Sequence, residues 1–294
     1  KLPRDYDHPK GAKVELTLVR YPARDQKRKI GTLFVNPGGP GGEGTAIAQN
    51  APLVFSPDLL ERFDVVGFDP RGVGDSANVE CFSRPSSQQA VLRTLYATPF
   101  PLTARREAAF VRAYQAEGKG CSTTGRPLSA SMSTAEVARD MDVLRRAVGD
   151  RRLSYVGFSY GTYLGQVYAN LFPDRVRALV LDGVLDPEAW RGSIKTRNTP
   201  VTDRIASAPG TTRALVRALR LCDQVGEARC PYAAGDPVRN FDALAQRLKT
   251  RPITQVDPQS KEVFRLGYAE LVGNLTGILY LPDAPDYVAT FLAD

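Results

Sequence analysis

Histidine is almost absent from this chain: its 294 residues contain one, His8. The four cysteines, Cys81, Cys121, Cys222 and Cys230, form no Cys-x-x-Cys pair. These absences argue against a zinc site, which takes a closely spaced set of Cys, His or carboxylate donors, and no metal is expected. No apolar run approaches the roughly 18 residues that carry a helix across a bilayer, so no transmembrane span is expected. The opening Lys1-Leu2-Pro3-Arg4-Asp5-Tyr6 lacks the apolar core of a secretory leader, and any such leader is expected to have been removed or never present. Net charge is +7, but the basic residues are dispersed among acids, and no stretch alternates arginine with stacking aromatics. Nucleic acid is therefore not expected as a partner.

What is present is an ordinary globular composition, 43% hydrophobic and 24% charged, at a length suited to one large domain or a core with an attached subdomain. Apolar runs at 14–20, 32–36, 63–68, 153–157 and 176–181 predict strands, and their continuity predicts a mostly parallel sheet covered on both faces. Helical patterns fall between them at 134–149 and 160–171, with Thr134 near the start of the first and Gly149 at its end. The alternation is that of an α/β domain over 1–186. Residues 187–294 carry helical patterns at 211–223, 238–249 and 268–280, many prolines and no strong strand run, so a helical subdomain is expected there. The segment 81–130 reads as an irregular surface excursion. Four cysteines allow three pairings. Cys81 with Cys121 and Cys222 with Cys230 close local loops and are favoured, which would place the chain in an oxidising compartment. Four buried thiols in a reducing compartment are the alternative.

Chemistry concentrates after three of the strands. Residues 157–161, Gly-Phe-Ser-Tyr-Gly, lie between a strand and a helix, the setting of a nucleophile elbow. Ser159 would then sit at a strained turn, with Gly157 and Gly161 small because helix and strand pass closely. The alternative is a serine capping an ordinary helix. Residues 36–42, Asn-Pro-Gly-Gly-Pro-Gly-Gly, form a loop able to approach a substrate closely. A tetrahedral intermediate needs two N–H donors, and Gly39 and Tyr160 are the candidates. The same stretch fits a dinucleotide-binding Gly-x-Gly-x-x-Gly at 39–44, but Pro40 has no N–H for a phosphate, and no cofactor is expected. In Phe68-Asp69-Pro70-Arg71-Gly72, Asp69 and Arg71 could form an ion pair that fixes the loops beside the site; a plain surface turn is the alternative.

Residues 32–42, 65–76, 153–166 and 176–186 together resemble the α/β-hydrolase fold. More narrowly, Arg-Asp-Tyr-Asp-His-Pro at 4–9, Asn-Pro-Gly-Gly-Pro-Gly at 36–41, Gly-Phe-Asp-Pro-Arg-Gly-Val-Gly-Asp-Ser at 67–76 and the elbow resemble secreted actinobacterial proline iminopeptidases and tripeptidyl aminopeptidases. The stretch 221–230 resembles the helical cap of those enzymes, including its short disulfide loop. The resemblance implies a serine peptidase, secreted or envelope-associated, that releases short N-terminal peptides through an acyl-enzyme on Ser159. It implies oxyanion donors at Gly39 and Tyr160, and a carboxylate for the substrate ammonium, for which Glu43 and Glu188 are candidates by position.

The departure lies in the general base. In this fold the chain order is Ser, then Asp or Glu, then His. No histidine follows Ser159 in these residues, and His8 precedes the first core strand beside Pro9. Acids do follow the serine, among them Asp182, Asp223, Asp257 and Asp283. The strands expected after the cap are missing as well. The expectation is that a C-terminal half or second chain carries the Asp and His, and that the sheet presents an open edge here. Lys195 or Lys261 as an unusual base, an esterase or amidase acting on small molecules, and a non-catalytic binding protein are the rivals.

Overall fold

In the computed structural model, which describes residues 1–256, 261 and 263–293, the apolar runs become neighbouring strands. A short antiparallel pair, β1 (Leu2–Pro3) with β2 (Lys13–Val14), precedes the sheet. The sheet contains β3 (Leu18–Tyr21), β4 (Gly31–Asn36), β5 (Phe63–Phe68), β6 (Leu153–Phe158) and β7 (Val176–Asp182) in the order β3-β5-β4-β6-β7. Only β3 is antiparallel to its neighbour. The single strand expected at 14–20 is broken, because residues 15–17 turn to the loop after β5. Ala77 N–H donates to the Glu15 carbonyl, and Thr17 N–H donates to Ser76 Oγ.

The continuous apolar pattern of β4, β5 and β6 reflects cover on both faces. Side chains alternate with period two: Phe34, Val66 and Tyr155 enter one core with Val137, Met141, Leu164 and Tyr168. Leu33, Val35, Val65 and Val156 enter the other with Ala48, Ala51 and Leu60. The helix Thr134–Ala147 is capped by Ser133, whose Oγ accepts the Glu136 N–H. Its stripe Val137, Ala138, Met141 and Leu144 meets the first core, and Gly149, at φ 84°, ends it as expected. Strand β7 pairs with β6 on one side only among the described residues, and Val180 on it is 56% exposed. The sheet therefore has the open parallel edge that the sequence led us to expect.

The described residues divide into two compact units, 1–88 with 117–197 and 89–116 with 198–294. The second holds the helices Ser207–Val225, Pro237–Thr250, Tyr268–Ile278 and Ala284–Ala293 around Leu219, Leu248, Leu271, Leu275 and Val288. It also contains the hairpin β8 (Ile253–Val256) with β9 (Val263–Leu266), where the sequence showed no strong strand run. Both strands are short, and Val256 and Val263 are exposed, so neither carries the apolar density that marks a core strand. The segment 81–130 departs from expectation too, forming the helices Pro85–Leu95, Ala104–Thr123 and Arg126–Ser129. Its long helix buries only Ala113, so it is built on the intrinsic preference of Ala, Arg, Glu and Gln and lacks an apolar stripe to reveal it. Cys81 is bonded to Cys121 and Cys222 to Cys230, each pair within one unit.

Candidate active site

Strand β6 ends at Phe158 and the helix Tyr160–Leu171 begins two residues later, which leaves Ser159 alone at the turn. Its backbone adopts φ 52°, ψ −121°, a left-handed conformation that a side chain disfavours. Three hydrogen bonds hold it there. Ser159 N–H donates to the Asp182 carbonyl at 2.8 Å, and the Ser159 carbonyl accepts from Thr162 N–H at 2.9 Å and Thr162 Oγ1 at 2.7 Å. Such strain persists only where the surroundings over-determine it, as they do here. The Ser159 side chain makes no capping hydrogen bond, so it is not an ordinary helix cap, and the residue is exposed. Gly157 and Gly161 are small for the reason expected. A Cβ on Gly157 would run into the Gly161 carbonyl, and one on Gly161 would lie 2.7 Å from the Asn36 carbonyl oxygen. The buried Tyr155 hydroxyl donates to the Gly161 carbonyl at 2.7 Å and fixes that approach.

The glycine loop after β4 packs on this turn. Asn36 Oδ1 accepts Gly38 N–H at 2.9 Å, and Gly42 N–H donates to the Gly38 carbonyl at 3.0 Å. A Cβ on Gly38 would collide with the Phe158 carbonyl and lie 2.8 Å from Tyr160 N, so only glycine permits the contact. The structure thus brings the loop containing Gly39 against the elbow containing Ser159 and Tyr160. Beside the loop opens a cavity of about 280 Å³, whose walls include Pro40, Pro70, Val73, Met132, Val137 and Tyr160.

The pair expected between Asp69 and Arg71 is not formed. Asp69 is buried and accepts Thr45 N–H and Thr45 Oγ1, with Asp75 N–H at 3.3 Å, which ties its loop to the helix Gly44–Gln49. Arg71 turns to Asp140, donating from Nε at 2.8 Å and from Nη2 at 2.6 Å. Its other N–H groups reach the carbonyls of Pro3, Arg4 and Ser131. Backbone donors near Asp69 and a buried carboxylate near Arg71 each offer a better partner than the other does. Burial pushes the Asp140 carboxyl up, against the pull of the Arg71 guanidinium and the Tyr6 hydroxyl. Burial likewise raises Tyr6, with the Asp140 charge adding to it.

His8 sits in an exposed turn, its Nδ1 2.9 Å from Asp5 Oδ2, and makes no contact with Ser159. Glu43 is exposed at the start of the helix Gly44–Gln49, with its Cγ close to Gly74. Glu188 is exposed in the first turn of the helix Pro187–Arg191, and Lys195 is exposed in the short turn that follows. Lys261 belongs to the second unit, and Asp257 lies outside the described residues. Two features went unread in the sequence. The Tyr160 hydroxyl is bonded to Thr134 Oγ1 at 2.7 Å, and the rings of Tyr160, Tyr163 and Trp190 cluster at centroid distances of 5.7–6.4 Å. The aromatic spacing at 160 and 163, one helical turn apart, was the available signal for the cluster. Among the described residues no group of three or more His, Cys, Asp or Glu stands close enough to hold a metal ion. No described helix is long and apolar enough to cross a membrane.

A mostly parallel sheet, a strained serine between strand and helix, and a glycine loop packed on that serine's turn define a hydrolase-type α/β architecture. Residues 31–206 match the alpha/beta hydrolase fold family, and the chain belongs to it. Among its relatives is the serine protease Hip1 of Mycobacterium tuberculosis, 33% identical over 306 residues, covering 100% of this chain and 54% of that protein. The tripeptidyl aminopeptidase of Streptomyces lividans is 38% identical over 190 residues, covering 63% of this chain and 34% of that protein. Carboxylesterase B of Mycobacterium tuberculosis is 33% identical over 295 residues, covering 99% and 53%. The chain spans about half the length of the curated relatives that it matches from end to end.

Proposed function

We propose that this chain is the nucleophile-bearing part of a serine peptidase that releases short peptides from the amino termini of its substrates. The observation that carries the reading is Ser159 itself: a non-glycine residue held at φ 52° with its side chain exposed and uncapped at a helix start. Ser159 Oγ attacks the scissile carbonyl carbon, and its proton passes to a histidine base. The oxyanion is received by the Gly39 and Tyr160 N–H groups. Collapse expels the amine, which takes the proton from the imidazolium, and leaves an ester on Ser159. Water, deprotonated by the same base, then frees the acid.

The only histidine of these residues is engaged by Asp5 in a turn, so the base and its carboxylate are assigned to a segment beyond residue 294 or to a second chain. The open edge of β7, with Val180 56% exposed, and the greater length of the relatives both support that assignment. Glu43 or Glu188 receives the substrate ammonium, and Glu43, closer to the glycine loop in sequence and structure, is the better placed. The two disulfides support an oxidising, extracellular or envelope location.

The carboxylesterase relative favours a second reading, hydrolysis of small-molecule esters. The whole natural protein is treated with a fluorophosphonate and the adduct mapped by mass spectrometry. An untreated sample is assayed in parallel on a tripeptidyl p-nitroanilide with free and with acetylated amino terminus, and on p-nitrophenyl esters. Labelling at Ser159 with preference for the free amino terminus is expected. Ester hydrolysis without amide hydrolysis moves the assignment to the esterase, and an unlabelled Ser159 removes the enzyme reading.

A further inference from the structure

Building on the acyl-transfer reading, we propose that the cavity beside the glycine loop receives the side chain of the residue whose carbonyl Ser159 attacks. It selects an apolar group there and rejects an anionic one, although an arginine lines it. The position follows from the walls. Gly38 and Gly41 belong to the loop packed on the nucleophile turn, and Tyr160 is the residue after Ser159. A carbonyl held between loop and elbow has its own side chain next to this space.

The selectivity follows from the state of Arg71. A guanidinium has five N–H donors, and all five are committed: two to Asp140, one to Pro3, one to Arg4 and one to Ser131. Its side chain is fully buried. Redirecting any donor to a ligand carboxylate would strand a buried carbonyl or half of the Asp140 pair, which costs more than a new bond returns. The Tyr160 hydroxyl is likewise taken by Thr134. The other side chains of the lining are Asn36, whose Oδ1 is taken by the Gly38 N–H, and the apolar Pro40, Pro70, Val73, Met132 and Val137. A dry cavity of about 150 Å³ accommodates a benzene-sized group, so about 280 Å³ takes a leucine or phenylalanine side chain. Met132 is the adaptable wall. Its methyl end already lies where a Cβ on Gly72 would be, so only the bare glycine, at φ 84°, leaves room for Met132 there.

The test uses the whole natural protein carrying Ser159→Ala and the peptides Ala-Ala-Xaa, products of the proposed reaction, with Xaa as Ala, Leu, Phe or Asp. Binding is read from the emission of Trp190, the only tryptophan of these residues, whose ring centroid lies 5.7 Å from that of Tyr160. The Trp190→Phe variant identifies its share of the signal. Leu or Phe is expected to bind at least tenfold tighter than Ala, and Asp no tighter than Ala. Met132→Trp, which fills the space, is expected to bring the Leu-to-Ala ratio close to one. Equal binding across the series, no detectable binding of any peptide, or tightest binding by Asp overturns the proposal. With Ser159 intact, p-nitrophenyl acetate and p-nitrophenyl 4-methylpentanoate give a parallel readout in kcat/KM. Esters discriminated by acyl size while no peptide amide is cleaved would sink the peptidase reading and spare the cavity. Peptides released without regard to Xaa would do the reverse.

Discussion

Ser159 shows at the residue scale how a local strain becomes a reactive position. Its hydrogen bonds to Asp182 and Thr162 hold the turn whether or not the hydroxyl is present. Ser159→Ala is therefore expected to leave the unfolding midpoint nearly unchanged while fluorophosphonate labelling disappears and turnover falls by about 10³-fold or more. Intact-mass and stopped assays check both. His8 gives a second residue-scale prediction. The hydrogen bond that the imidazole donates to Asp5, with the Asp5 charge, holds the imidazole above its ordinary value, and the same bond holds the Asp5 carboxyl below its own. A raised imidazole contributes fully below its unfolded value, about 6.5, and the contribution is lost as pH rises through the raised one. The lowered carboxyl contributes above its ordinary value and loses it in acid. The lone imidazole resonance in a proton NMR titration of these residues is expected to show a midpoint above 6.5 that Asp5→Asn brings down. His8→Gln is expected to leave hydrolysis unchanged. Ser159 was legible because a five-residue pattern sat between a strand and a helix. The true partner of Arg71 was not, because Asp140 lies 69 residues away and only the folded sheet brings the two together.

Elements were legible in proportion to the apolar surface they bury. β4, β5 and β6 are covered on both faces and could be read directly, as could the helix Thr134–Ala147 with its cap, stripe and terminal glycine. The helices of 81–130 bury little and left no periodic trace. The short β8–β9 hairpin was missed for the same reason. The joint between Arg71 and the helix Thr134–Ala147 predicts its own fragility. Arg71→Lys supplies one ammonium where a planar fork serves five acceptors, and it leaves Asp140 under-partnered in a buried site. A loss of about 3–5 kcal/mol in urea unfolding is expected. Tyr155→Phe, which leaves the Gly161 carbonyl without its buried donor, is expected to lose about 1–3 kcal/mol.

Across the whole molecule, the two covalent links have unequal reach. Cys81–Cys121 closes a loop with sequence separation 40, and Cys222–Cys230 one with separation 8. Loop-closure entropy alone gives about 4 and about 2.5 kcal/mol. Replacing both members of the first pair by alanine is expected to lower the melting temperature more than replacing both of the second, as calorimetry would show. The grouping of 89–116 with 198–294 joins stretches far apart in the chain, and no local pattern announces such a union. The Arg71 joint also bears on timing. Its acceptors include the carbonyls of Pro3 and Arg4, among the earliest of these residues to leave the ribosome, whereas Asp140 emerges more than a hundred residues later. Residues 3 and 4 are thus secured only after the helix bearing Asp140 has been made, and a protease added during refolding is expected to act as a clock, cutting within 1–14 until that helix has docked and falling silent afterwards.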